Sequence, residues 1–350
     1  MSRPLVSICL PNLNNRAFLR ERIDTIRAQT YQHWELVISD NYSDDGAWEF
    51  FQTLAAADQR VRIAQAPREG MYANWNRCVE RARGDYIYIA TSDDTLDARA
   101  LELMVDALER HPECGLAHCP LKIVDERGRE GSPWWWTDSV FALSSGALLR
   151  QPHVRRAPWD GVLHLLGRSV YISITQLLIR RSLFDIVGAF EPRWASVGDF
   201  NWDMRASLVA HTVHVPGTWG GWRVHSAQAT AGAAIGSAAH EQKLDAMIEH
   251  AIERSRPRLP PSVAGAIAGW AVEARRLRAF EHEVASHRAL SPVRRRAYLA
   301  GRAITGSAPA WEYITRRVRK QSPLDRIRRQ LGDAGCGSHL LVPASSGLGC

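Results

Sequence analysis

The chain has 350 residues, 45% of them hydrophobic and 23% charged, an ordinary globular balance with room for one large domain and an appendage. No run of about 18 uncharged apolar residues is present, which excludes a bilayer-spanning helix of the usual kind. The formal charge of +7 is uneven: residues 251–350 hold 18 Lys and Arg against 7 Asp and Glu, while residues 1–250 are net acidic, so the basic character belongs to the last hundred residues.

Leu5–Leu10 is an apolar run too short for a secretory signal; it reads as a first buried strand, and the chain is expected to stay in the cytoplasm. A helical pattern follows, with Phe18, Leu19, Ile23 and Ile26 at three- and four-residue spacing. Trp34–Ile38 is a second strand, Trp48–Ala57 a helix, Val61–Gln65 a third strand, Tyr72–Ala82 a helix and Tyr86–Ala90 a fourth strand. Asp97–Arg110 is a long helix with Leu101, Met104, Val105 and Leu108 on one face, and Gly115–Cys119 closes the series. Further on, Leu121–Asp125 with Arg127-Gly128 suggests a hairpin or edge strand, Val170–Ile179 a strong strand, and Leu183–Val187 and Asp199–Ala210 helices. From about Ala238 the pattern is helical and basic. The six cysteines form no CxxC pair, which argues against a zinc site.

Strands alternating with helices predict a mostly parallel central sheet flanked by helices, with ligands beyond the carboxyl ends of its strands. Those ends are polar: Pro11-Asn12-Leu13-Asn14-Asn15, Asp40-Asn41-Tyr42-Ser43-Asp44-Asp45-Gly46, Pro67-Arg68-Glu69-Gly70 and Thr91-Ser92-Asp93-Asp94. One such end is an ordinary turn; four converging on one rim predict a binding site. Paired carboxylates such as Asp93 and Asp94 suit Mg²⁺ or Mn²⁺, though Asp-Asp also occurs as a plain turn. Asp40 reads as a nucleotide contact or as a turn former. Arg68 before a helix start is a reasonable diphosphate neighbour, or a surface arginine. Asp199 reads as a helix cap or as a general base, Trp202 as a residue of the buried face. His225 is a candidate metal ligand or phosphate contact, although a lone histidine is more often structural.

In order and spacing, these segments resemble the family 2 glycosyltransferases over residues 4–230. Ser7 through Asn14 looks like that family's opening strand and Pro-x-x-Asn turn, and Val37 through Asp45 like its second strand with a nucleoside-binding Asp. Gly70–Asn76 with Ala82–Ile87 is similar to its connecting helix and fourth strand, and Ser92-Asp93-Asp94 to its DXD-type metal motif. Val187–Phe190 with Gly198-Asp199 resembles the segment delivering the catalytic base, and Trp222–His225 the closing aromatic-Arg-x-His element. Thr91, Gly198 and Trp75 depart from the pattern, standing where many members have Asp, an acidic residue and Arg.

The resemblance implies the GT-A nucleotide-diphospho-sugar transferase fold and an inverting, metal-dependent transfer from a UDP- or dTDP-linked sugar to a glycan or lipid-linked acceptor in cell-surface polysaccharide synthesis. It assigns Asp199 as catalytic base and Pro11, Asn12, Asn14, Asp40, Ser43, Arg68, Asn76, Ser92 and Asp93 to the nucleotide sugar. Asp94, with Asp93 and His225, is expected to hold Mn²⁺ or Mg²⁺, Asp94 being the firmer choice. Trp134, Trp135 and Trp202 are candidates for stacking on acceptor sugars, with a packed flap around Trp134–Trp136 as the other reading.

The expected organisation is a catalytic domain over 1–235, with a nucleotide-binding half (1–120) and an acceptor-binding half (121–235). A helical basic extension follows over 236–330 and a flexible tail over 331–350. Arginine clusters at 275–278, 294–296 and 316–320 with interleaved apolar residues suit an amphipathic surface on an anionic membrane through residues 254–330, at the inner face of the plasma membrane; a solvated extension packed on the catalytic domain is the other reading. A sugar nucleotidyltransferase is the rival enzyme, but Pro11–Asn15 lacks its Gly-rich basic loop. Nucleic-acid binding through the Arg-rich tail would leave the polar strand ends unexplained, so no nucleic acid is expected.

Overall fold

The structure is a computed structural model that describes residues 3–165, 169–226, 228, 237–286, 292–305, 307, 309–310, 323–336 and 340–344. Its first part alternates as the periodicity predicts: β1 (Val6–Asn12), α1 (Arg16–Arg27), β2 (Trp34–Asp40), α2 (Ala47–Ala57), β3 (Val61–Gln65), α3 (Met71–Arg81) and β4 (Tyr86–Ile89). The short β5 (Thr95–Leu96), α4 (Ala100–Arg110), β6 (Cys114–His118) and β7 (Leu121–Val124) follow. Strand β1 is buried along its whole length. Val6, Ile8 and Leu10 pack against α1, α2 and α4, while Cys9 joins the opposite cluster with Tyr72, Trp75 and Cys78 of α3. A central strand covered on both faces needs this continuous apolar run.

β4, β1, β2 and β3 are neighbours in that order and mutually parallel. The chain moves outward from β1 through β2 to β3, then returns to the other side of β1 with β4. The strand order therefore reverses between β1 and β4, which is where a ligand crevice opens in such sheets. The register sets Asn12 beside Asp40, so the polar ends of β1 and β2 lie side by side.

Beyond β4 the sheet differs from the mostly parallel expectation. The strong strand expected over Val170–Ile179 is reduced to β9 (Leu177–Arg180), preceded by a short 3₁₀ turn over Ile174–Gln176. β9 lies antiparallel between β4 and β6. Next come β10 (His211–His214), parallel to β6, and β8 (His153–Arg155), antiparallel to β10. The edge is β12 (Leu341–Pro343), paired antiparallel with β8, so these residues of the expected flexible tail are part of the sheet.

β11 (Gly220–Arg223) pairs with β7 in parallel and β5 in antiparallel fashion, forming a small second sheet; the hairpin signal at Arg127-Gly128 is reduced to a single bridge from Val124 to Glu130. Glycines let β11 come this close. A Cβ at Gly221 would lie 2.2 Å from Thr95 Oγ1, and one at Gly220 2.6 Å from the Thr175 carbonyl oxygen.

Helices α5 (Trp134–Asp138), α6 (Val140–Ser145), α7 (Trp159–Leu165), α8 (Ser182–Val187) and α9 (Gly198–Val209) cover the second half of the sheet. The extension contains α10 (Ala238–Ser255), α11 (Pro261–Ser286), α12 (Pro292–Ile304) and α13 (Pro323–Asp333). Leu244, Ile248, Ala251 and Ile252 of α10 join the same core as α9, so the soft boundary near 235 is not a boundary of packing. No described helix is long and apolar enough to cross a membrane.

Part of the basic charge expected to face a membrane is paired within the fold. Arg275 contacts Asp245 at 2.9 Å and Glu249 at 2.8 Å, Arg278 contacts Asp245 at 3.0 Å, and Arg326 pairs with Glu273. Arg316, Arg317, Arg319 and Lys320 lie outside the described residues.

Candidate active site

A cleft of about 570 Å³ opens over the ends of β1, β2 and β4. Its walls bring together Pro11, Asn12, Asn14, Arg68, Ser92, Asp93 and His225, all singled out from sequence, and add Asn15, Asn41, Met71, Asn74 and Gln228. Among the other expected site residues, Asp40, Ser43, Asn76, Asp94, Asp199, Trp134, Trp135 and Trp202 are not on this wall.

The acidic pair splits into two environments. Asp93 lies in the cleft with its Oδ2 3.0 Å from His225 Nε2. Asp94 is only 2% exposed, and both its carboxylate oxygens are engaged: Oδ1 accepts from the Arg223 N–H at 2.9 Å and Oδ2 from the Thr91 hydroxyl at 2.5 Å. Burial, and then the charge of Asp93, push the Asp94 carboxyl up from its ordinary range. The expectation that Asp94 is the firmer metal ligand therefore meets a side chain turned into the protein. Thr91 satisfies its Oδ2 and the Arg223 backbone its Oδ1.

Arg223 fastens this corner. Its Nε donates to the Asp93 carbonyl at 2.7 Å, Nη1 to the carbonyls of Asp125 and Glu126, and Nη2 to Glu21 at 2.6 Å. With its guanidinium spent this way it is buried, and it delivers His225 two residues later.

A divalent cation is not resolved by donor count alone: no group of three or more His, Cys, Asp or Glu among the described residues could hold one. A carboxylate and an imidazole 3.0 Å apart on the cleft wall do fit two positions of a Mn²⁺- or Mg²⁺-type site, whose remaining positions go to diphosphate oxygens and water.

The opposite end of the cleft is built from amides. Asn12 Nδ2 donates to Asp40 Oδ1 at 2.8 Å and Ser43 Oγ at 3.1 Å. Asn74 Nδ2 donates to the Ser39 carbonyl at 3.0 Å. These acceptors fix the orientation of both amides, and each leaves a buried Oδ1 with no partner among the described residues. Two such acceptors on a cleft floor call for ligand N–H or O–H groups. Asp40 is fully buried; its Oδ2 takes the Ser43 N–H at 2.8 Å and its Oδ1 takes the Ser43 hydroxyl. Expected as a direct nucleoside contact, Asp40 instead shapes the loop and orients Asn12, and Ser43 is consumed with it. Asn14 is similarly tied to Asp44 by two side-chain bonds.

Arg68 reaches the carbonyls of Asn41 and Tyr42 across the cleft mouth. Behind it, α3 begins at Met71 after Gly70, which provides no side-chain cap, leaving its first backbone N–H groups beside the cleft. Asn76, expected at the nucleotide, instead clamps the backbone of Phe190 through Oδ1 at 3.0 Å and Nδ2 at 2.8 Å.

Asp199 opens α9. Its Oδ1 accepts from the Tyr72 hydroxyl at 2.8 Å and from the Phe200 N–H at 2.9 Å. Burial raises its pKa, and the two donors oppose that shift. Tyr72 stands between Met71 and Asn74 on α3, so this bond joins the helix beside the cleft to the helix that carries Asp199.

Trp135 and Trp202, candidates for sugar stacking, are core residues with no exposed surface. Trp135 packs on Phe141 and His118, and Trp202 donates its indole N–H to the Gly188 carbonyl. Both rings fill space between elements. Trp134 alone of the three keeps a solvent face, at 38% exposure.

Tyr72, Asn74 and Arg223 escaped assignment from sequence. Tyr72 and Asn74 look like ordinary members of an amphipathic helix, and the partners of Arg223 lie about 100, 130 and 200 positions away.

The family model described as Glycosyl transferase family 2 matches residues 7–159. The chain is 30% identical over 228 residues to glycosyltransferase GlyG of Streptococcus pneumoniae, covering 55% of this chain and 76% of that protein. It is 29% identical over 139 residues to the O-antigen biosynthesis protein RfbC of Myxococcus xanthus, covering 39% and 11%. Several other curated relatives are matched over only 19% to 48% of their length. Among solved structures, TarS of Staphylococcus aureus with UDP-GlcNAc aligns with a TM-score of 0.54 at 14% identity, covering 90% of this chain and 91% of that one. A mannosyltransferase of Pyrobaculum calidifontis with GDP-Man and Mn²⁺ aligns with a TM-score of 0.50 at 16% identity, covering 90% and 84%. The fold is therefore the GT-A glycosyltransferase fold, and the length of GlyG matched at 30% identity establishes that the chain belongs to glycosyl transferase family 2.

Proposed function

We propose that the protein transfers a sugar from a nucleoside diphosphate to a hydroxyl of a glycan or lipid-linked acceptor, with inversion, in polysaccharide synthesis on the cytoplasmic side of the membrane. The observation that carries this reading is the two-ended cleft: orphaned amide acceptors at one end, and the Asp93–His225 pair at the other. The nucleoside fits the amide end, where its N–H or O–H groups satisfy Asn12 and Asn74. The diphosphate then lies along Arg68 and the uncapped start of α3. Asp93 and His225 would hold a divalent ion, which would neutralise charge building on the departing diphosphate.

Asp199 acts as the base. As the acceptor oxygen attacks the anomeric carbon from the face opposite the diphosphate, its proton passes to the Asp199 carboxylate. Oδ1 already accepts two bonds, so Oδ2 is the oxygen left to receive it.

The test is a panel of UDP-, dTDP-, GDP- and CMP-sugars with Mn²⁺, read by thermal shift and by release of the nucleotide. One class of donor should bind and turn over, and Asp199→Asn should bind it without turnover. Normal turnover by Asp199→Asn would remove the base assignment; binding unaffected by EDTA would remove the metal.

A further inference from the structure

The backbone at Gly198 has no room for a side chain. A Cβ at this position would lie 2.6 Å from Cδ2 and 2.7 Å from Cε2 of Tyr72. The tyrosine ring occupies the volume in which a side chain at 198 would begin. The ring is held there from two sides, edge-on to Trp75 at 4.9 Å and stacked on Phe190 at 6.0 Å between centroids. Phe190 is itself clamped by Asn76. With the ring so fixed, the hydroxyl has one placement, and it donates to Asp199 Oδ1 at 2.8 Å.

We infer that Tyr72 is a positioning residue for the reaction, orienting Asp199 and stabilising its carboxylate form from the space beside Gly198. This rests on the reading of Asp199 as base. Tyr72 is buried and is not among the residues lining the cleft. Burial keeps its hydroxyl protonated far beyond neutral pH, so it is a permanent donor. A hydrogen bond to the charged form of a carboxyl lowers its pKa, offsetting part of what burial adds.

Other titratable groups around α9 do not supply that bond. Asp203, one turn on, is buried with an unpartnered Oδ1, and burial, then the Asp199 charge, push its pKa well up. His164 of α7 faces the Phe200 ring and is held neutral by burial. Glu191 and His250 pair with each other at 3.6 Å, and Arg205 donates to the carbonyls of Val187 and Ala189.

The experiment follows nucleotide release against pH for wild type, Tyr72→Phe, Asp203→Asn and Asp199→Asn. Each of UDP-glucose, UDP-N-acetylglucosamine, dTDP-glucose and GDP-mannose is offered with water as acceptor. Tyr72→Phe keeps the ring and loses only the hydroxyl. Because Asp199 must be ionised to act, losing a donor moves the acid limb of kcat upward by about one pH unit. Below the limb, kcat then falls roughly tenfold, while KM for the donor and the melting temperature stay near wild type. Asp203→Asn should leave the limb where it is.

An unmoved limb in Tyr72→Phe, with Asp199→Asn inactive, overturns the inference and spares the base. A limb that moves only in Asp203→Asn reassigns the role and also overturns it. Turnover in Asp199→Asn, or no release from any donor, removes the base reading and this inference with it.

Discussion

Arg223 donates its backbone N–H to Asp94 Oδ1 at 2.9 Å, and so fixes which member of the acidic pair faces the cleft. With Asp94 held inward, the turn presents Asp93 to His225. The two neighbours should then fail in different ways. Asp93→Asn should weaken Mn²⁺-dependent nucleotide binding by tenfold or more in calorimetry, with little change in melting temperature. Asp94→Ala strands a buried Arg223 N–H and should cost about 1–3 kcal/mol in urea unfolding. Loss of metal-dependent binding in Asp94→Ala without loss of stability would return Asp94 to the ligand set.

The buried ion pair of Arg155 and Asp160 is a second structural test. The guanidinium contacts both carboxylate oxygens and the hydroxyls of Ser144 and Ser145, with the pair almost completely buried. Arg155→Met should destabilise by about 3–5 kcal/mol, because Asp160 loses its counter-charge out of reach of water. The double variant with Asp160→Leu should lose less than the two single variants added together. Simple additivity in a double-mutant cycle would show that the pair is uncoupled.

Stability should depend on the buried histidines below neutral pH. Burial lowers His164 to about 3 and His153 to about 4, and holds His118 and His214 well below 6.5. At pH 7 both folded and unfolded forms are neutral at these sites. As pH falls below 6.5 the unfolded chain takes up protons that the folded chain refuses, so stability declines with acidification. The raised carboxyls of Asp199 and Asp203 act in the opposite sense, since the folded chain holds their protons more tightly. His164→Phe removes one refusing site. Whatever its constant offset, its unfolding free energy should fall less steeply than wild type between pH 6 and 4, by about 1.4 kcal/mol per pH unit. Parallel curves in urea titrations would contradict the buried neutral histidine.

Deleting residues 337–350 should uncover the edge of β8. Leu341 and Val342 pair with Arg155 and Val154 along that edge, and an exposed strand edge is a template for association. Size-exclusion chromatography should show the truncated chain shifting to oligomers that wild type does not form.

The alternation of strands and helices was legible because β1, β2 and β4 are buried along their length and α1, α3 and α4 keep one apolar face. Polar strand ends then pointed to one rim, and the structure gathers Asn12, Arg68, Ser92 and Asp93 there. Periodicity carries less information about which atom faces outward. Asp93 and Asp94 are identical in type and adjacent, and only the arrival of β11 distinguishes them. Trp135 and Trp202 show the same limit, since an indole suits a sugar face and a core equally until its neighbours are known. The bond between Tyr72 and Asp199 crosses 127 positions with no sequence pattern to announce it. The pairing of β12 with β8 is equally invisible, because three residues do not make a period.

The apolar face of α10 has a consequence for how this protein could have been assembled over time. Leu244, Ile248 and Ile252 fill the same core as Trp202 and Met204 of α9, the helix that begins at Asp199. The extension's α10 is therefore an inner wall of the part of the chain that carries α9 and not a detachable module. A recombination event joining this catalytic half to a foreign C-terminal region would leave α9 facing solvent on its apolar side. Chimeras among relatives should not be cut before α11, because Val263 and Ile267 of that helix, and Ile327 and Leu331 of α13, continue the same core.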